Sequence, residues 1–434
     1  MEVVRPRIAM ISEHASPLAL LGGEDAGGQN VYVSEVSTKV ANFGYEVDVF
    51  TRRESTGVPE VTSWSEGVRI ISLRAGPLEY LKKDMLLPLM PEFRDNLIRF
   101  AEDGGRVYDV IHANFWMSAW VGCELKQRWN IPLVVTFHAL GKIKRLHQGA
   151  ADTSPSERIA VELRVIDEAD VLIAQCPSEK EELIELYGAD ENRIVIVPSA
   201  VDVETFRPIP RREARKIIGV DTEGPLIVYV GRLLPRKGID NIIRALPLLS
   251  HGRSRYARLL IVGGETDEVS PETDKEVARL TEIAKSLGVL DRVTFVGRRT
   301  QSVLKYYYSA ADVCVSTPWY EPFGLVPLES MACRTPIIAS EVGGMKFTVQ
   351  DNKTGFHVPP KDPEILASRL EVVLNSYGLR TSLGRKARDR VEKFFTWHQV
   401  AKRMATVYAE VLGRRAEIAT DETTALGRPL RHAR

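Results

Sequence analysis

The stretch LIVYVGRLLPRKGID, residues 226–240, contains the pattern that decides the fold. Its first five residues are apolar and suit a buried β-strand, and a glycine and a short cationic loop then lead into the start of a helix. A strand, a loop and a helix in this order form one βα unit of a parallel sheet, whose strands are buried on both faces. The stretch therefore predicts an α/β fold.

The alternation of apolar runs and helical patterns extends along nearly the whole chain. In the first half, strand candidates lie at residues 7–14, 46–53, 68–75, 109–115, 133–140, 170–176 and 193–201. In the second half, they lie at residues 226–231, 258–264, 292–298, 312–318, 336–342 and 355–360. Helix-like stretches follow most of them, for example at 30–43 and 177–188. The spacing predicts two parallel sheets, each with helices on both faces.

The rhythm breaks at PSAVDVETFRPIPRREA, residues 198–214, which contains three prolines and mixed charge. The 434 residues of the chain exceed one domain, since a domain usually has roughly 100–200 residues. We therefore expect two Rossmann-like, doubly wound domains that face a cleft, and a last helix that packs back onto the first domain. The predicted units are the first domain, the second domain, the crossover helix and a mobile tail, at 1–200, 201–396, 397–413 and 414–434.

The composition argues against several classes of protein. Lys and Arg together number 58, as do Asp and Glu, so the zero net charge argues against nucleic acid as a partner. No apolar run approaches the roughly 20 residues of a membrane helix, and we expect a cytoplasmic protein without a transmembrane segment. The cysteines lie far apart and without a CxxC pair, so we expect them to be reduced core residues rather than metal ligands. They are Cys123, Cys176, Cys314 and Cys333.

In doubly wound sheets, ligands bind beyond the carboxyl ends of the strands, and two of the loops there suit an anion. LGGEDAGGQN, residues 21–30, is rich in glycine and leads into a helix, whose N-terminus attracts negative charge. It lacks the GxGxxG and Walker patterns, which disfavours NAD and ATP hydrolysis, and a plain surface loop is the alternative. In the loop after residue 231, Arg232 and Lys237 form a cation pair suited to a diphosphate, whereas Arg236 is expected to face solvent.

Two further loops contain groups that bind hydroxyls or protons. Glu321 precedes a Pro-Phe-Gly turn and Glu329 lies eight residues later on the following helix. Both carboxylates are expected to face one cleft and to accept hydrogen bonds from sugar hydroxyls, and helix capping and a salt bridge are the alternatives. His138 ends the strand at 133–140. Such a histidine is structural about as often as functional, and its position at the cleft favours function.

Four motifs, in this order, carry a resemblance to a known family: GGQN at 27–30, FHAL at 137–140, GRLLPRKG at 231–238 and EPFGLVPLE at 321–329. Together they resemble glycosyltransferase family 4, whose members are retaining enzymes of the GT-B fold. The resemblance covers nearly the whole stretch from residue 5 to residue 413. Within the family, the first half is most similar to sucrose-phosphate synthase-like and D-inositol-3-phosphate glycosyltransferase-like members.

The resemblance implies roles for the residues of the second half. Glu321 would contact the 3- and 4-hydroxyls of the donor sugar, and Glu329 would bind the ribose hydroxyls of the nucleotide. The backbone amides that would assist Glu321 belong to Phe323, Gly324 and Leu325.

The same resemblance assigns the rest of the donor site. Arg232 and Lys237 would hold the diphosphate, and the base would lie near the turn that contains Gly297 and Arg298. His138 would lie at the donor sugar near the reacting centre. With Glu321, these two cations and His138 make up the expected catalytic set, and neither a cofactor nor a metal is expected.

On the acceptor side, the resemblance implies a role for the glycine-rich loop and for two cations. Gly28 would place its amide near the phosphate or the acceptor, and Asn30 would lie at the acceptor. Lys83 and Arg158 align with the residues that bind an acceptor phosphate in relatives. A small phosphorylated acceptor is therefore expected.

Two positions bear on the identity of that acceptor. The inositol-phosphate enzymes usually carry Tyr and Thr where this chain has Phe115 and Ala139. The loss of two hydroxyl groups argues against inositol phosphate and leaves fructose 6-phosphate, or another sugar phosphate, at least equally favoured.

The expected reaction is therefore transfer of a glucosyl-type residue from a UDP-sugar, with retention at the anomeric carbon. Alternatives are the D-inositol-3-phosphate reaction, a glycan or lipid acceptor, a phosphorylase of the same fold, a sugar-nucleotide sensor without activity, and a dinucleotide oxidoreductase. The oligomeric state is open.

Overall fold

The computed structural model describes residues 5–19, 27–149, 152–220 and 223–413. The predicted mobile tail at 414–434 lies outside these residues, as does most of the glycine-rich loop before Gly27. In the described part of the chain, no helix combines the length and the apolar character that a membrane span requires.

The first half forms an eight-stranded sheet in the order β3-β4-β2-β1-β5-β6-β7-β8. Its strands are β1 (Arg7–Ile11), β2 (Glu46–Arg52), β3 (Val61–Ser65), β4 (Val68–Leu73), β5 (Val110–Asn114), β6 (Leu133–Thr136), β7 (Val171–Ala174) and β8 (Ile194–Ile196). The edge strand β3 is antiparallel to β4 and the other neighbours are parallel.

The second half forms a six-stranded parallel sheet in the order β11-β10-β9-β12-β13-β14. Its strands are β9 (Leu226–Val230), β10 (Arg258–Val262), β11 (Val293–Gly297), β12 (Val313–Ser316), β13 (Ile337–Ser340) and β14 (Gly355–Val358). In β9, Ile227 and Tyr229 enter one apolar core, whereas Val228 and Val230 enter another on the opposite face. This double burial explains why the strand appears in the sequence as one continuous apolar run.

Helices cover both sheets. They are α1 (Gly28–Ala41), α2 (Met90–Asp103), α3 (Trp116–Trp129), α4 (Gly141–Gln148), α5 (Arg158–Glu168), α6 (Pro177–Tyr187), α7 (Arg211–Ile217), α8 (Ile239–Ala245), α9 (Lys275–Ser286), α10 (Gln301–Ala310), α11 (Leu325–Ala332), α12 (Met345–Thr348), α13 (Pro363–Asn375), α14 (Tyr377–Phe394) and α15 (Trp397–Val411).

The last helix returns to the first sheet. Val201 lies beside Thr396 in an isolated bridge, so the chain leaves the first half and comes back to it at one place. The helix α15 then packs in the same core as α1. The hydroxyl of Tyr408 lies 2.7 Å from Nδ1 of the buried His112. The predicted return of the last helix to the first domain is confirmed.

The predicted fold class of two Rossmann-like, doubly wound parallel-sheet units is confirmed. Every predicted strand is present, although most end two or three residues earlier than predicted, and β3 is an additional strand. The four cysteines are free and buried, as expected. The domain boundaries at 200 and 396 stay predictions.

Candidate active site

A cavity of about 550 Å³ opens beyond the carboxyl ends of both sheets. One wall comes from loops of the first sheet, which contribute residues such as His14, Phe115 and His138. The facing wall comes from the second sheet, with Arg232 after β9 and Glu321 after β12. This is the place where doubly wound sheets bind their ligands.

The loops after β9 and β12 are joined by hydrogen bonds, because the two strands are neighbours in the sheet. Oγ1 of Thr317 donates to the carbonyl oxygen of Gly238 at 2.9 Å. The backbone amide of Trp319 donates to the carbonyl oxygen of Arg236 at 2.9 Å. Gly238 has φ +66°, and a Cβ at this position would lie 2.0 Å from the Thr317 carbonyl oxygen. Glycine at 238 therefore permits the close approach of the two functional loops.

This junction brings Lys237 against Glu321, 84 residues away in sequence. Nζ of Lys237 donates to Oε2 of Glu321, and the two side chains are 19% and 18% exposed. Burial alone would raise the pKa of the Glu321 carboxyl, but the neighbouring cations, with Lys237 first among them, outweigh burial and the pKa is lowered. Arg236 and Arg232 act in the same direction. The site thus holds an ionised carboxylate beside a group of cations.

Four arginines join Lys237 along this wall, since Arg232, Arg236, Arg298 and Arg299 line the same cavity. Arg236 was expected to face solvent; in the structure it is half-buried and lines the cavity. Arg299 was not predicted, although it follows the strand end that had been singled out. The concentration of cations suits a ligand with more than one negative charge.

The segment that carries Glu321 is held by a second loop that sequence reasoning missed. The backbone amide of Gly344 donates to the carbonyl oxygen of Pro322 at 3.0 Å. A Cβ at Gly343 would lie 2.1 Å from the Glu321 carbonyl oxygen, and one at Gly344 would lie 2.5 Å from Cα of Phe323. The signal that could have revealed this loop is a pair of glycines at the carboxyl end of a predicted strand.

The residues after Pro322 form the start of α11. Gly324 has φ +83° and caps the helix, and Leu325 is the first helical residue. Phe323, Gly324 and Leu325 all line the cavity, so the backbone amides at this helix start are close to it. Their contact with a donor sugar stays a prediction.

Glu329 lies one turn further along α11 and is bonded within the protein. The hydroxyl of Tyr308 donates to its Oε2 at 2.6 Å, and burial raises the pKa of Glu329 to about 7. Leu325 and Val326 line the cavity, whereas Glu329 is not among the described residues that do. Of the two carboxylates that were expected to face one cleft, Glu321 lines this cavity and Glu329 does not. A role for Glu329 in ribose binding stays a prediction.

The turn expected near the base has a clear structural cause. Gly297 has φ +86°, and a Cβ there would lie 2.2 Å from the Asp267 carbonyl oxygen. The amide of Arg298 donates to the Thr266 carbonyl oxygen at 2.8 Å, which fixes the turn. Arg298 lines the cavity, whereas Gly297 shapes the turn behind it.

On the facing wall, α1 begins at Gly28 and points toward α11. A Cβ at Gly28 would lie 3.4 Å from Cδ1 of Leu325, so the two helix starts approach each other across the cavity. Asn30 lines the cavity and also has a structural role, and its contact with an acceptor stays a prediction. Its Oδ1 accepts from the Gly27 amide at 2.9 Å, and its Nδ2 donates to the Ser16 carbonyl oxygen at 3.0 Å. These bonds cap the helix and join its start to Ser16.

His138 lines the cavity with both ring nitrogens already bonded. One ring nitrogen, Nε2, lies 3.0 Å from Oδ1 of Asn114, and the other, Nδ1, lies 3.3 Å from Nε2 of Gln175. Asn114 Oδ1 can only accept and the Gln175 amide nitrogen can only donate, so the proton is on Nε2. Burial lowers the pKa of His138 to about 3. The ring is therefore neutral and is not one of the site's cations.

The two predicted acceptor cations are placed differently. Lys83 lines the cavity. Arg158 is 2% exposed and is not among the described lining residues, because its Nε donates to Glu162 at 2.8 Å and another guanidinium nitrogen donates to the Ala139 carbonyl oxygen at 2.6 Å. Its guanidinium also lies 5.2 Å from the ring centre of Phe115. An acceptor phosphate would have to compete with Glu162 for this guanidinium, and the contact of Arg158 with an acceptor stays a prediction.

A facing pair of parallel-sheet domains with a cation-rich cavity between them is the architecture of a GT-B glycosyltransferase, and comparison with known proteins agrees. Residues 27–200 match the glycosyl transferase 4-like domain, and residues 210–390 match glycosyl transferases group 1. The chain therefore belongs to the glycosyltransferase 4 family of the GT-B fold, and it is a hexosyltransferase.

Similar relatives divide between two activities. A D-inositol 3-phosphate glycosyltransferase of Kineococcus radiotolerans is 37% identical, with 94% of this chain and 96% of the relative covered. One of Acidothermus cellulolyticus is 38% identical, with coverage of 95% and 92%. The solved sucrose-phosphate synthase of Thermosynechococcus elongatus is 35% identical with a TM-score of 0.84, and covers 94% and 100%. The Anabaena HepE structure with UDP and glucose shares the fold at 19% identity and a TM-score of 0.71, covering 93% and 100%.

Proposed function

We propose that the protein transfers a hexosyl residue of the glucosyl type from a UDP-sugar to a small phosphorylated acceptor, with retention at the anomeric carbon. The observation that carries this proposal is the cavity wall on which Arg232, Arg236 and Lys237 surround the ionised Glu321. Cations suit the diphosphate of a sugar nucleotide, and a carboxylate that accepts hydrogen bonds suits the hydroxyls of its sugar. The diphosphate and the sugar of one donor molecule thus match the cations and the carboxylate that lie side by side on one cavity wall.

In the proposed reaction, the bond between the anomeric carbon and the diphosphate oxygen breaks as the acceptor oxygen bonds to the same carbon. The departing diphosphate takes the proton of the acceptor hydroxyl. Arg232 and Lys237 stabilise the negative charge that grows on the diphosphate, which is electrostatic stabilisation of the leaving group. Because Lys237 contacts Glu321 in the structure, donor binding would replace this ion pair by bonds to phosphate and to sugar.

For the acceptor, fructose 6-phosphate is our first choice. Phe115 and Ala139 both line the cavity, so the two hydroxyl groups that inositol-phosphate enzymes usually have there are missing from the wall itself. D-inositol 3-phosphate is the second candidate, because relatives of that activity are 35–38% identical over nearly the whole chain. Lys83 lines the cavity, and we propose that it binds either phosphate.

The test is a matrix of UDP-, GDP- and ADP-sugars against fructose 6-phosphate, D-inositol 3-phosphate and glycerol, read by release of nucleoside diphosphate. We expect release with UDP-glucose that depends on fructose 6-phosphate, and NMR of the product should show the anomeric configuration of the donor. Release driven by inorganic phosphate would indicate a phosphorylase. Donor binding without turnover across the matrix would indicate a sensor.

We also propose that the reaction needs no metal ion. Arg232, Arg236 and Lys237 supply the positive charge that a divalent cation supplies to the diphosphate in other enzymes. Turnover should therefore be the same in excess EDTA as in MgCl₂. Loss of activity in EDTA that MgCl₂ restores would contradict this. A cytoplasmic location stays a prediction, to be tested by cell fractionation.

A further inference from the structure

Arg52, the last residue of β2, is a buried cation that the proposed reaction does not use. Its side chain is 0% exposed, and its ion pair with Glu54 is long, with 4.0 Å between Nη1 and Oε1. Burial lowers the pKa of Arg52, but a guanidinium stays charged in a protein. A buried charge is costly unless polar groups lie against it. The surroundings of Arg52 must therefore supply close hydrogen-bond acceptors.

These acceptors are three backbone carbonyl oxygens of a single loop, residues 74–82, which follows β4. Nε of Arg52 donates to the Ala75 oxygen at 2.8 Å, and Nη1 donates to the Glu79 oxygen at 2.9 Å. Nη2 donates to the oxygen of Pro77, which lies between them in the chain. The planar fork of a guanidinium fixes the directions of these bonds. The 74–82 loop is therefore shaped around the Arg52 side chain.

The 74–82 loop leads directly to a residue of the cavity wall. Near its start, the backbone amide of Gly76 donates to Oε2 of Glu92 on α2 at 2.8 Å. After its end, the chain enters a short 3-10 turn, Lys83–Met85, and Lys83 lines the cavity. Arg52 thus fixes the path of the chain just before Lys83.

The same turn is joined to the segment that leads to Arg158. Oγ1 of Thr153 donates to Oδ2 of Asp84 at 2.6 Å. The next residue, Ser154, accepts from Nη1 of Arg158 at 3.2 Å. The bond between Asp84 and Thr153 therefore connects the two segments that carry Lys83 and Arg158, the cations that align with acceptor-phosphate ligands of relatives.

We infer that Arg52 is a positioning residue for recognition of the acceptor phosphate. By shaping the 74–82 loop it places the Lys83 ammonium at the cavity, and the bond between Asp84 and Thr153 holds that turn in place. The inference rests on the proposed function, because it takes the phosphate of the acceptor as the ligand of Lys83. Arg52 and Thr153 act through Lys83, since neither is among the described residues that line the cavity. Their loss should weaken the preference for a phosphorylated acceptor and leave donor binding intact.

The test measures this preference as a ratio of two kcat/KM values, one for the phosphorylated acceptor and one for the same polyol without phosphate. The pairs are fructose 6-phosphate with fructose, and D-inositol 3-phosphate with inositol. Arg52→Lys keeps the charge but lacks the planar fork that holds three carbonyls. We expect the ratio to fall about 10-fold, because Lys83 loses part of a charge-assisted bond. UDP affinity, measured by titration, should stay within about twofold of wild type.

The matched control is Arg99→Lys, at an exposed arginine of α2 that bonds to Asn96. It makes the same substitution in the same domain away from the 74–82 loop, and both the ratio and the UDP affinity should be those of wild type. A second variant, Thr153→Val, removes the bond to Asp84 at an exposed residue and leaves the core intact. It should lower the ratio about 2- to 5-fold, again with unchanged UDP affinity.

A double-mutant cycle shows whether Arg52 acts through Lys83. Lys83→Ala should lower the ratio about 10- to 100-fold, because the phosphate loses a charged partner. Adding Arg52→Lys to Lys83→Ala should lower the ratio no further, since no ammonium is left to be misplaced. A merely structural role for Arg52 would instead add its own loss to that of Lys83→Ala.

The outcomes separate this inference from the proposal on which it rests. Wild-type protein without acceptor-dependent UDP release, or without preference for the phosphorylated acceptor, overturns the proposed function and the role of Arg52 with it. A wild-type ratio in Arg52→Lys, or in Thr153→Val where Arg52→Lys does not fold, overturns the positioning role alone. A further fall of the ratio in the double variant, or an equal loss of UDP affinity and acceptor affinity, overturns it too, because the damage then does not pass through Lys83.

Discussion

At the residue scale, Lys237 is the cation in direct contact with the candidate sugar-binding carboxylate. Lys237→Ala removes charge that stabilises the leaving diphosphate, and it leaves Glu321 buried beside one cation fewer. We expect kcat to fall by about 10²-fold, equivalent to about 3 kcal/mol. The measurement is steady-state release of UDP, with the exposed Lys285→Ala on α9 as the control. If Lys237→Ala keeps turnover within a few-fold of wild type, the phosphate assignment is wrong.

Glu329 gives a second prediction, which concerns stability and pH. Burial raises its pKa from 4.5 to about 7, so the folded state holds this proton more tightly than the unfolded state. The contribution of Glu329 to the free energy of unfolding is therefore fully present below pH 4.5 and falls as the pH rises to about 7. Glu329→Gln keeps an oxygen that accepts from Tyr308 but cannot ionise.

We expect Tm to fall less between pH 5 and pH 8 in Glu329→Gln than in wild type, measured by thermal unfolding across that range. The exposed Glu364→Gln serves as the control, and it should follow the wild-type curve. A steeper fall in Glu329→Gln than in wild type would show that the carboxylate is stabilised in the fold and that the sign is reversed.

The site residues differ in how far the sequence predicts them. The sequence predicts Glu321 and Lys237 as site residues. It does not predict their contact, because this contact depends on β9 and β12 being neighbours in the sheet. Arg158 is the opposite case. Glu162 lies four residues later on the same helix, so the spacing already indicated an ion pair within the helix. The acceptor-phosphate role that the resemblance implies for Arg158 stays a prediction beside this ion pair.

At the element scale, Gly238 joins the loops of two neighbouring strands. Gly238→Ala adds a Cβ that would lie 2.0 Å from the Thr317 carbonyl oxygen, at a residue with φ +66°. Gly219→Ala is a close control, because Gly219 has φ +70° and nothing lies within 4 Å of its added Cβ. Both variants carry the strain of a left-handed alanine, about 1–2 kcal/mol, and only Gly238→Ala also separates the loops.

We therefore expect Gly238→Ala to lower Tm more than Gly219→Ala and, unlike it, to raise the KM for the donor. Thermal unfolding and donor titration measure the two effects. Equal changes in both variants would mean that the contact with Thr317 has no part in forming the donor site.

The elements themselves were predictable for a physical reason, and their order in the sheets was not. A strand buried on both faces must be apolar along its length, as β9 is, and the sequence records this directly. The edge strand β3 has exposed residues on both of its faces, so its sequence is not a continuous apolar run. The order β11-β10-β9-β12-β13-β14 depends on which strands pair. The sequence of a single strand does not show which other strand it pairs with.

At the scale of the whole molecule, the cavity is closed by contacts between its two walls. Oγ of Ser178 on α6 donates to the carbonyl oxygen of Gly343 at 3.5 Å, and Sγ of Cys176 lies 3.6 Å from that of Pro322. These are long and weak hydrogen bonds. The loops that hold Glu321 therefore touch the first domain without being locked to it, which suits a cleft that opens to admit a donor and closes to exclude water.

A further contact between the two walls is an aromatic pair. The ring of Tyr320, next to Glu321, stacks on His147 of α4 with ring centres 4.5 Å apart and planes 13° apart. Burial lowers the pKa of His147, so the stacked ring is neutral.

If the pair favours the closed cleft, Tyr320→Leu should raise the donor KM by about 2- to 10-fold, since such pairs contribute about 0.5–1.5 kcal/mol. His147→Leu should do the same, and the double variant should be no worse than either, because one interaction is lost in all three. Donor KM values measured at saturating acceptor complete the cycle, with the exposed Tyr377→Leu as the control. Additive effects of the two substitutions would show that the rings act independently and that their stacking does not hold the cleft closed.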